Sequence, residues 1–454
     1  MKIIIVGAGE VGYNIANRLA LENQDVTIID QNPIASKRLS EALDVHVITA
    51  SGSNPKVLID AGIKDAEILL AVTDSDDTNL SACLMTDLIS PTTKKILRIR
   101  NSDFQQYKNR LTKETPHIDT IINPETEVVN AIRKLMNVPD AMDVGDFIEG
   151  KVKYICIRLD KDSPLAGMAL NDFHTEFKEE KPLIAAIIRN SEIIVPRGDN
   201  VLETNDLIYF VSETQKLEST LAIFGKSFKP VQEALIIGGG RIGAMLAQKL
   251  EKDNIKTKIV ELNIDRCNTL SEQMGKTIVL HGDGSDPNLF NEEKVSNDGA
   301  IIAVTDDDET NILISLLAGN SNIKNTIIRI NKAHYFPLLS AIGIGKIVSP
   351  RLSAVSTILQ NVRKGKVLSD ISIFDERGEF IEAIALETSD ITKKPLKKLS
   401  FPKGAILVCI FRDEHTIIPD GNDIVNPGDR IIMFALKHSV KKLEKLLTVK
   451  LDFF

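Results

Sequence analysis

No apolar stretch in this chain approaches the about 18–20 residues that a bilayer-spanning helix needs, so no direct membrane insertion is expected. Its four cysteines, Cys83, Cys156, Cys267 and Cys409, are scattered and lack CxxC spacing. That argues against a disulfide framework or a zinc ribbon and for ordinary thiols in a reducing compartment. The seven histidines include no HExxH, and none pairs with a plausible nucleophile. Positive charge is not in excess: the formal net charge is −8. Bulk electrostatics therefore speak against a nucleic-acid partner and against attraction to an anionic membrane. Any membrane association has to run through a protein partner. The N-terminus, MKIIIVGAGEVG, enters a strand directly, so no signal peptide is expected. The expected compartment is the cytoplasm.

With 454 residues the chain exceeds what one core supports, and two to four domains are expected. Short apolar runs alternate with helical patterns through the first quarter. Strands are expected at 2–6, 25–30, 45–49, 67–72, 95–100 and near 119–122, with helices between and a last helix from Pro124 to about 136. That alternation predicts a doubly wound parallel sheet with ligands at the carboxyl ends of its strands. From 144 to 213 strands predominate, which reads as a small antiparallel α+β module closed by a helix near 214–223. Residues 226–232 form a linker.

The chain then repeats itself. AVTDSDDTNL at 71–80 recurs as AVTDDDETNI at 303–312, a shift of 303 − 71 = 232. SGSNP at 51–55 becomes DGSDP at 283–287 with the same shift, and the module around Pro196 recurs around Pro419. Long matches at one offset mean an internal duplication. The fold class is α/β: two Rossmann-like domains, at 1–138 and 233–366, each followed by a small α+β module, at 139–225 and 367–454.

The chemistry-bearing stretch is Gly7-Ala8-Gly9-Glu10-Val11-Gly12, with Asp30 eighteen residues beyond Gly12. Gly238-Gly239-Gly240-Arg241-Ile242-Gly243 repeats it, and Glu261 follows at the same distance. Strand, glycine turn, helix, strand and acid in that order form a dinucleotide-binding unit. The first glycine allows the turn, the second lets a pyrophosphate approach the backbone, and the third lets the helix lie close on the strand. Free amides at the helix start then hold phosphate, and the acid accepts from ribose hydroxyls. Asp30 and Glu261 would face the 2′-phosphate of NADP(H) with like charge, which predicts discrimination against it.

These motifs (VGAGEVG, IID, TASGSNP and AVTDSDDTN, with their second-copy counterparts) resemble those of the TrkA family, the peripheral nucleotide-binding subunits of bacterial Trk potassium-uptake systems. The resemblance spans essentially the whole chain. It implies tandem RCK N- and C-domains that bind NAD(H), with ATP or ADP possible at one or both sites. It also implies a non-enzymatic cytoplasmic regulator, peripheral on the inner face of the membrane, that gates a membrane-embedded potassium translocation subunit of the TrkH/TrkG type. A homotetrameric ring is the implied assembly. By the same resemblance Ser51, Gly52 and Ser53 lie beside the adenine. Val72, Thr73 and Asp74 lie below the phosphates or distal ribose, and Arg98 faces the phosphates. Asp283, Gly284, Ser285, Val304, Thr305, Asp306 and Arg329 match them in the second copy.

Arg98 and Arg100 flank Ile99, so in a strand both point to one face and can meet phosphate. The acidic runs Asp74-Ser75-Asp76-Asp77 and Asp306-Asp307-Asp308-Glu309 invite a metal reading. Helix capping is the better account, since no DxDxDG loop accompanies them. An NAD-dependent oxidoreductase is the alternative function. It needs a general acid or base over the nicotinamide, and the short modules supply no candidate. Glu10 against Arg241 predicts unequal sites, the second favouring phosphate. The strand-rich modules are of a kind that pairs with its own type.

Overall fold

The computed structural model describes residues 1–177, 182–293, 295–296, 298–320, 323, 325–362, 367–373 and 377–447. The expected boundary at 366/367 adjoins residues 363–366, and the expected end of the last module reaches 448–454; both stretches lie outside the described residues. The chain forms two compact units, Met1–Val128 with Ser349–Lys364, and Val129–Val348 with Gly365–Phe454.

The first unit holds β1 (Lys2–Val6), β2 (Asp25–Asp30), β3 (His46–Thr49), β4 (Ile68–Ala71), β5 (Lys94–Arg98) and β6 (Thr120–Ile122). They form one parallel sheet in the order β3-β2-β1-β4-β5-β6. Strand order reverses beside β1, which opens a crevice at the strand ends there. Both faces are covered, so β1 reads as unbroken Ile and Val rather than as an alternation. Ile3 and Ile5 join one core layer with Val11, Ile15 and Leu19 of helix Glu10–Leu21. Ile4 and Val6 join the opposite layer with Leu58, Ala82 and Cys83. The first layer has an unexpected member. Helix Pro350–Val362, from the end of the second repeat, buries Ala354, Val355, Ile358 and Leu359 there. Its Asn361 is tied to the sheet by Thr120 Oγ1 at 3.3 Å and by the Lys94 ammonium.

In the second unit, β7 (Ala141–Phe147), β8 (Val152–Arg158), β9 (Leu183–Arg189), β10 (Glu192–Ile194) and β11 (Leu207–Glu213) make an antiparallel sheet, β10-β9-β11-β8-β7. A parallel sheet follows, β14-β13-β12-β15-β16-β17, from β12 (Glu233–Ile237), β13 (Lys256–Glu261), β14 (Ile278–His281), β15 (Ala300–Ala303), β16 (Asn325–Arg329) and β17 (Ile347–Val348). The last sheet, β18-β19-β22-β20-β21, comprises β18 (Val367–Ile373), β19 (Gly378–Ile384), β20 (Ala405–Arg412), β21 (His415–Ile417) and β22 (Arg430–Leu436). Strand for strand it repeats the first antiparallel sheet.

The two antiparallel modules share one core. Phe380 of β19 lies 5.8 Å from Phe147, 5.2 Å from Tyr154 and 6.3 Å from Tyr209, ring centre to ring centre, and 5.2 Å from Phe434 of its own module. At the rim Arg430 joins the buried Glu382 to Glu149 of the first module, the latter at 2.7 Å. The modules thus pair with each other inside one chain.

Two local readings change. β5 ends at Arg98, because the backbone N–H groups of Arg100 and Asn101 turn to the Asp76 carboxylate, so Arg100 lies in the loop beyond the strand. Helix Leu170–Glu176 stands within the stretch where strands were expected to predominate. The capping reading of the acidic runs holds: Ser75 accepts from Thr78 N at helix Asp76–Ile89, and Asp307 accepts from Thr310 N in the second copy. All four cysteines are buried, and burial pushes every thiol upward, Cys409 to about 12.

Phe380→Ala should cost roughly 3–5 kcal/mol, since it removes the ring that the other four enclose; urea unfolding of the purified chain measures it. A second prediction concerns Lys346, whose Nζ donates to Asn325 Oδ1 at 2.9 Å and to the Pro139 carbonyl. Burial lowers this lysine to about 8. The folded state therefore carries the cation at a cost below pH 8. Between about 8 and 10.4 the unfolded chain binds more protons, so this contribution raises stability with pH. Lys346→Met should be most favourable relative to wild type near pH 7, and the difference should shrink by pH 10.

Candidate nucleotide site

The crevice is built first by close contacts that only glycine permits. Gly7 has φ +120°, and a Cβ there would lie 2.9 Å from Thr73 N. A Cβ on Gly12 would lie 1.9 Å from the Gly7 carbonyl oxygen. Gly238 repeats the first arrangement with φ +108° and 2.9 Å to Thr305 N, and Gly243 repeats the second at 2.0 Å from Gly238 O. The middle glycines are different. A Cβ built on Gly9 or on Gly240 meets no heavy atom within 4 Å. Each of these residues precedes its helix in an extended conformation, and no side chain caps the helix start. Open space thus lies before uncapped backbone amides at the positive end of each helix dipole. Val11 and Ile242 bury their side chains in the layers beneath.

The acids at the ends of β2 and β13 tie the loops down. Asp30 accepts from Ala8 N at 2.5 Å and Asn32 N at 2.7 Å. Glu261 accepts from Gly239 N and Asn263 N, both at 2.8 Å. In the second copy Arg266 Nε also donates to the Gly239 carbonyl, 2.8 Å away. A cation thus lies on the loop that the second acid holds.

Val72 and Val304 continue the pairing with β1 and β12 through their N–H groups, bonded to Val6 O at 2.9 Å and Ile237 O at 2.8 Å. This fixes Thr73-Asp74 and Thr305-Asp306 as the floor. Arg98 is buried; Nη1 donates to Val72 O, Thr73 O and Asp74 Oδ1 at 3.2–3.3 Å, and its Nε lacks a hydrogen-bond partner. Burial and the neighbouring Arg100 cation lower Arg98 below the ordinary guanidinium value. Arg100 joins the same Asp74 carboxylate, so both guanidinium groups do converge on one spot. Arg329 repeats Arg98 with Asp306 at 2.7 Å and likewise leaves a buried Nε unbonded. Position 331 holds Asn, and the second cation is shifted to Lys332, which binds Glu309 at 2.7 Å. Hydrogen bonds from Lys332 and the Tyr335 hydroxyl hold the Glu309 carboxyl at about 2.

The loops after β3 and β14 rest on the first strands. A Cβ on Gly52 would lie 2.2 Å from Val6 Cγ1, and one on Gly284 2.1 Å from Ile237 Cγ2. Ser51 and Ser53 share a 2.9 Å hydroxyl bond; Asp283 accepts from Ser285 N and Oγ, which lowers its carboxyl. Glu10, expected as a bare carboxylate at the first cradle, is paired with Arg351 of helix Pro350–Val362.

Several residues went unread in the sequence. Asn79 is fully buried, accepts from Thr73 N and Thr73 Oγ1, and donates to Thr73 O and Arg98 O. Asn311 makes the same four bonds to Thr305 and Arg329. These asparagines hold floor and arginine together. Asp76 and Asp308 bind loop amides beyond β5 and β16. The signal was available, since the repeated AVTD motif includes both the aspartate and the asparagine. Among the described residues, no group of three or more His, Cys, Asp and Glu is placed to hold a metal ion. No helix among them is long and apolar enough to cross a membrane.

The sequence profile described as "TrkA-N domain" matches residues 3–124 and 234–350, and that described as "TrkA-C domain" matches 156–225 and 380–448. The chain is 35% identical over 458 residues to "Trk system potassium uptake protein TrkA" of Azorhizobium caulinodans, covering 100% of both chains. A Methanosarcina mazei relative, "Trk system potassium uptake protein TrkA homolog 2", is 36% identical, covering 98% of this chain and 100% of its own. In three dimensions the chain is similar to a solved structure described as "GsuK channel bound to NAD", with TM-score 0.58, 18% identity, and coverage of 98% of this chain and 78% of that one. With both profiles matched twice, and relatives above 30% identity along the full length, the chain belongs to the TrkA family of Trk system potassium uptake proteins.

Proposed function

We propose that each glycine loop holds an adenine nucleotide and that occupancy regulates a membrane-embedded potassium translocation subunit. The observation that carries this is the open space before Gly9 and Gly240, at helix starts that no side chain caps. NAD(H) is the first candidate ligand, with ATP or ADP possible at one or both sites. Phosphate sits over Gly9 or Gly240. Asp30 or Glu261 accepts from the ribose hydroxyls, and Arg98 or Arg329 supplies the cation below. Ser51–Ser53 and Asp283–Ser285 border the adenine. The Trk-system names of the relatives support a membrane partner; the proposal takes it to be a TrkH/TrkG-type subunit, with this chain on the cytoplasmic face as a homotetramer.

The mechanism is differential binding. A ligand that contacts loop, floor and acid together is held best by one arrangement of these elements, and that preference biases the partner. No proton or hydride has to move. Asp30 and Glu261 orient the loop by accepting its amides; Asn79 and Asn311 fix the floor against the arginine. These roles position a ligand and leave its bonds intact.

Gly9→Asp and Gly240→Asp place a carboxylate where the structure has room, so each should fold normally and lose one equivalent of bound nucleotide in calorimetry. Retention of full stoichiometry in both would refute the reading. Purified protein mixed with NADH and small carbonyl compounds should show no oxidation above the buffer blank; turnover above about 1 s⁻¹ would make it an oxidoreductase instead.

A further inference from the structure

Helix Pro350–Val362 starts beside helix Glu10–Leu21, and their apolar faces merge through Val11, Ile15, Ala354, Val355 and Ile358. Each start is the positive end of a helix dipole, an unfavourable place for a cation. Arg351 nevertheless occupies the first turn of its helix, and burial lowers its guanidinium below the ordinary value. Its ion-pair partner is Glu10, whose side chain is 52% exposed. Glu10 directly follows Gly9, the residue with open space before it. Two dipole ends and a guanidinium therefore meet a single half-exposed carboxylate at the mouth of the first cradle. That surplus of positive field suits an added anion.

We infer that Arg351 is a phosphate ligand of the first site, released from Glu10 when a nucleotide phosphate enters the cradle over Gly9. The inference rests on the reading of that loop as a nucleotide site. It makes the helix that the second repeat places on the first sheet a direct reader of the first site's occupant. The more negative the phosphate group, the better it competes with Glu10, so ATP is favoured over AMP and adenosine. The second repeat exchanges the sign at the loop helix, which opens Gly240-Arg241. There the cation belongs to the loop helix itself.

The test uses full-length protein carrying Gly240→Asp, so that calorimetry reports the first site. Adding Arg351→Ala should weaken ATP about tenfold or more and adenosine less than about twofold. Arg351→Lys should recover part of the loss, and Glu10→Gln should tighten ATP. Unchanged ATP affinity in Arg351→Ala would overturn the inference. So would equal weakening of ATP and adenosine, which marks a structural effect. If Gly240→Asp alone binds no ATP and no adenosine while wild type binds them, the first loop is not a nucleotide site, and the underlying reading fails instead.

Discussion

The crevice depends on how closely a helix can approach the end of a strand. Gly12 stands against the Gly7 carbonyl at a distance no side chain tolerates, and Gly243 stands against Gly238 in the same way. This approach sets the height of the helix start above the sheet, and so the direction of its amides. The floor then has to match. Thr73 and Thr305 lie so near Gly7 and Gly238 that their loops need a rigid hold, which buried Asn79 and Asn311 provide. A buried amide with four satisfied bonds is a stiff fixing, and losing one partner leaves the rest desolvated. Loop, floor and arginine therefore form one constrained set.

Much of this was legible in the residues. Continuous Ile and Val runs marked the buried parallel strands, and the duplication doubled every signal. Antiparallel modules followed from alternating strands with turn residues between. What escaped notice was mostly long-range. No period in the sequence says that residues 350–362 cover a sheet more than two hundred residues earlier, because an apolar helix face fits either sheet. Glu10 read as an uncompensated charge for the same reason: Arg351 adjoins it only through that packing. Short-range misses had another cause. Asp76 looked like one more helix-start acid, yet it serves amides of the next strand's exit, which capping preference does not reveal.

The two repeats are alike in plan and unequal in charge. In one, Arg98 and Arg100 share Asp74; in the other, Arg329 has Asp306 and the further cation has moved to Lys332. Their modules are likewise alike in strand order but differ at the shared core, where Tyr154 and Tyr209 of one meet Phe380 of the other. A duplicated chain that pairs its own halves is free to diverge at such contacts, because no rotational symmetry forces the two sides to match.

The buried thiols have a consequence of their own. Oxidants attack thiolate, and an interior sulfur held protonated offers them little. Cys83, Cys156, Cys267 and Cys409 are all enclosed, with burial favouring the protonated form. Peroxide and disulfide exchange thus find no exposed cysteine on the folded chain. On the proposed reading, the cell's electron balance reaches this chain through the oxidation state of a bound small molecule rather than through its cysteines.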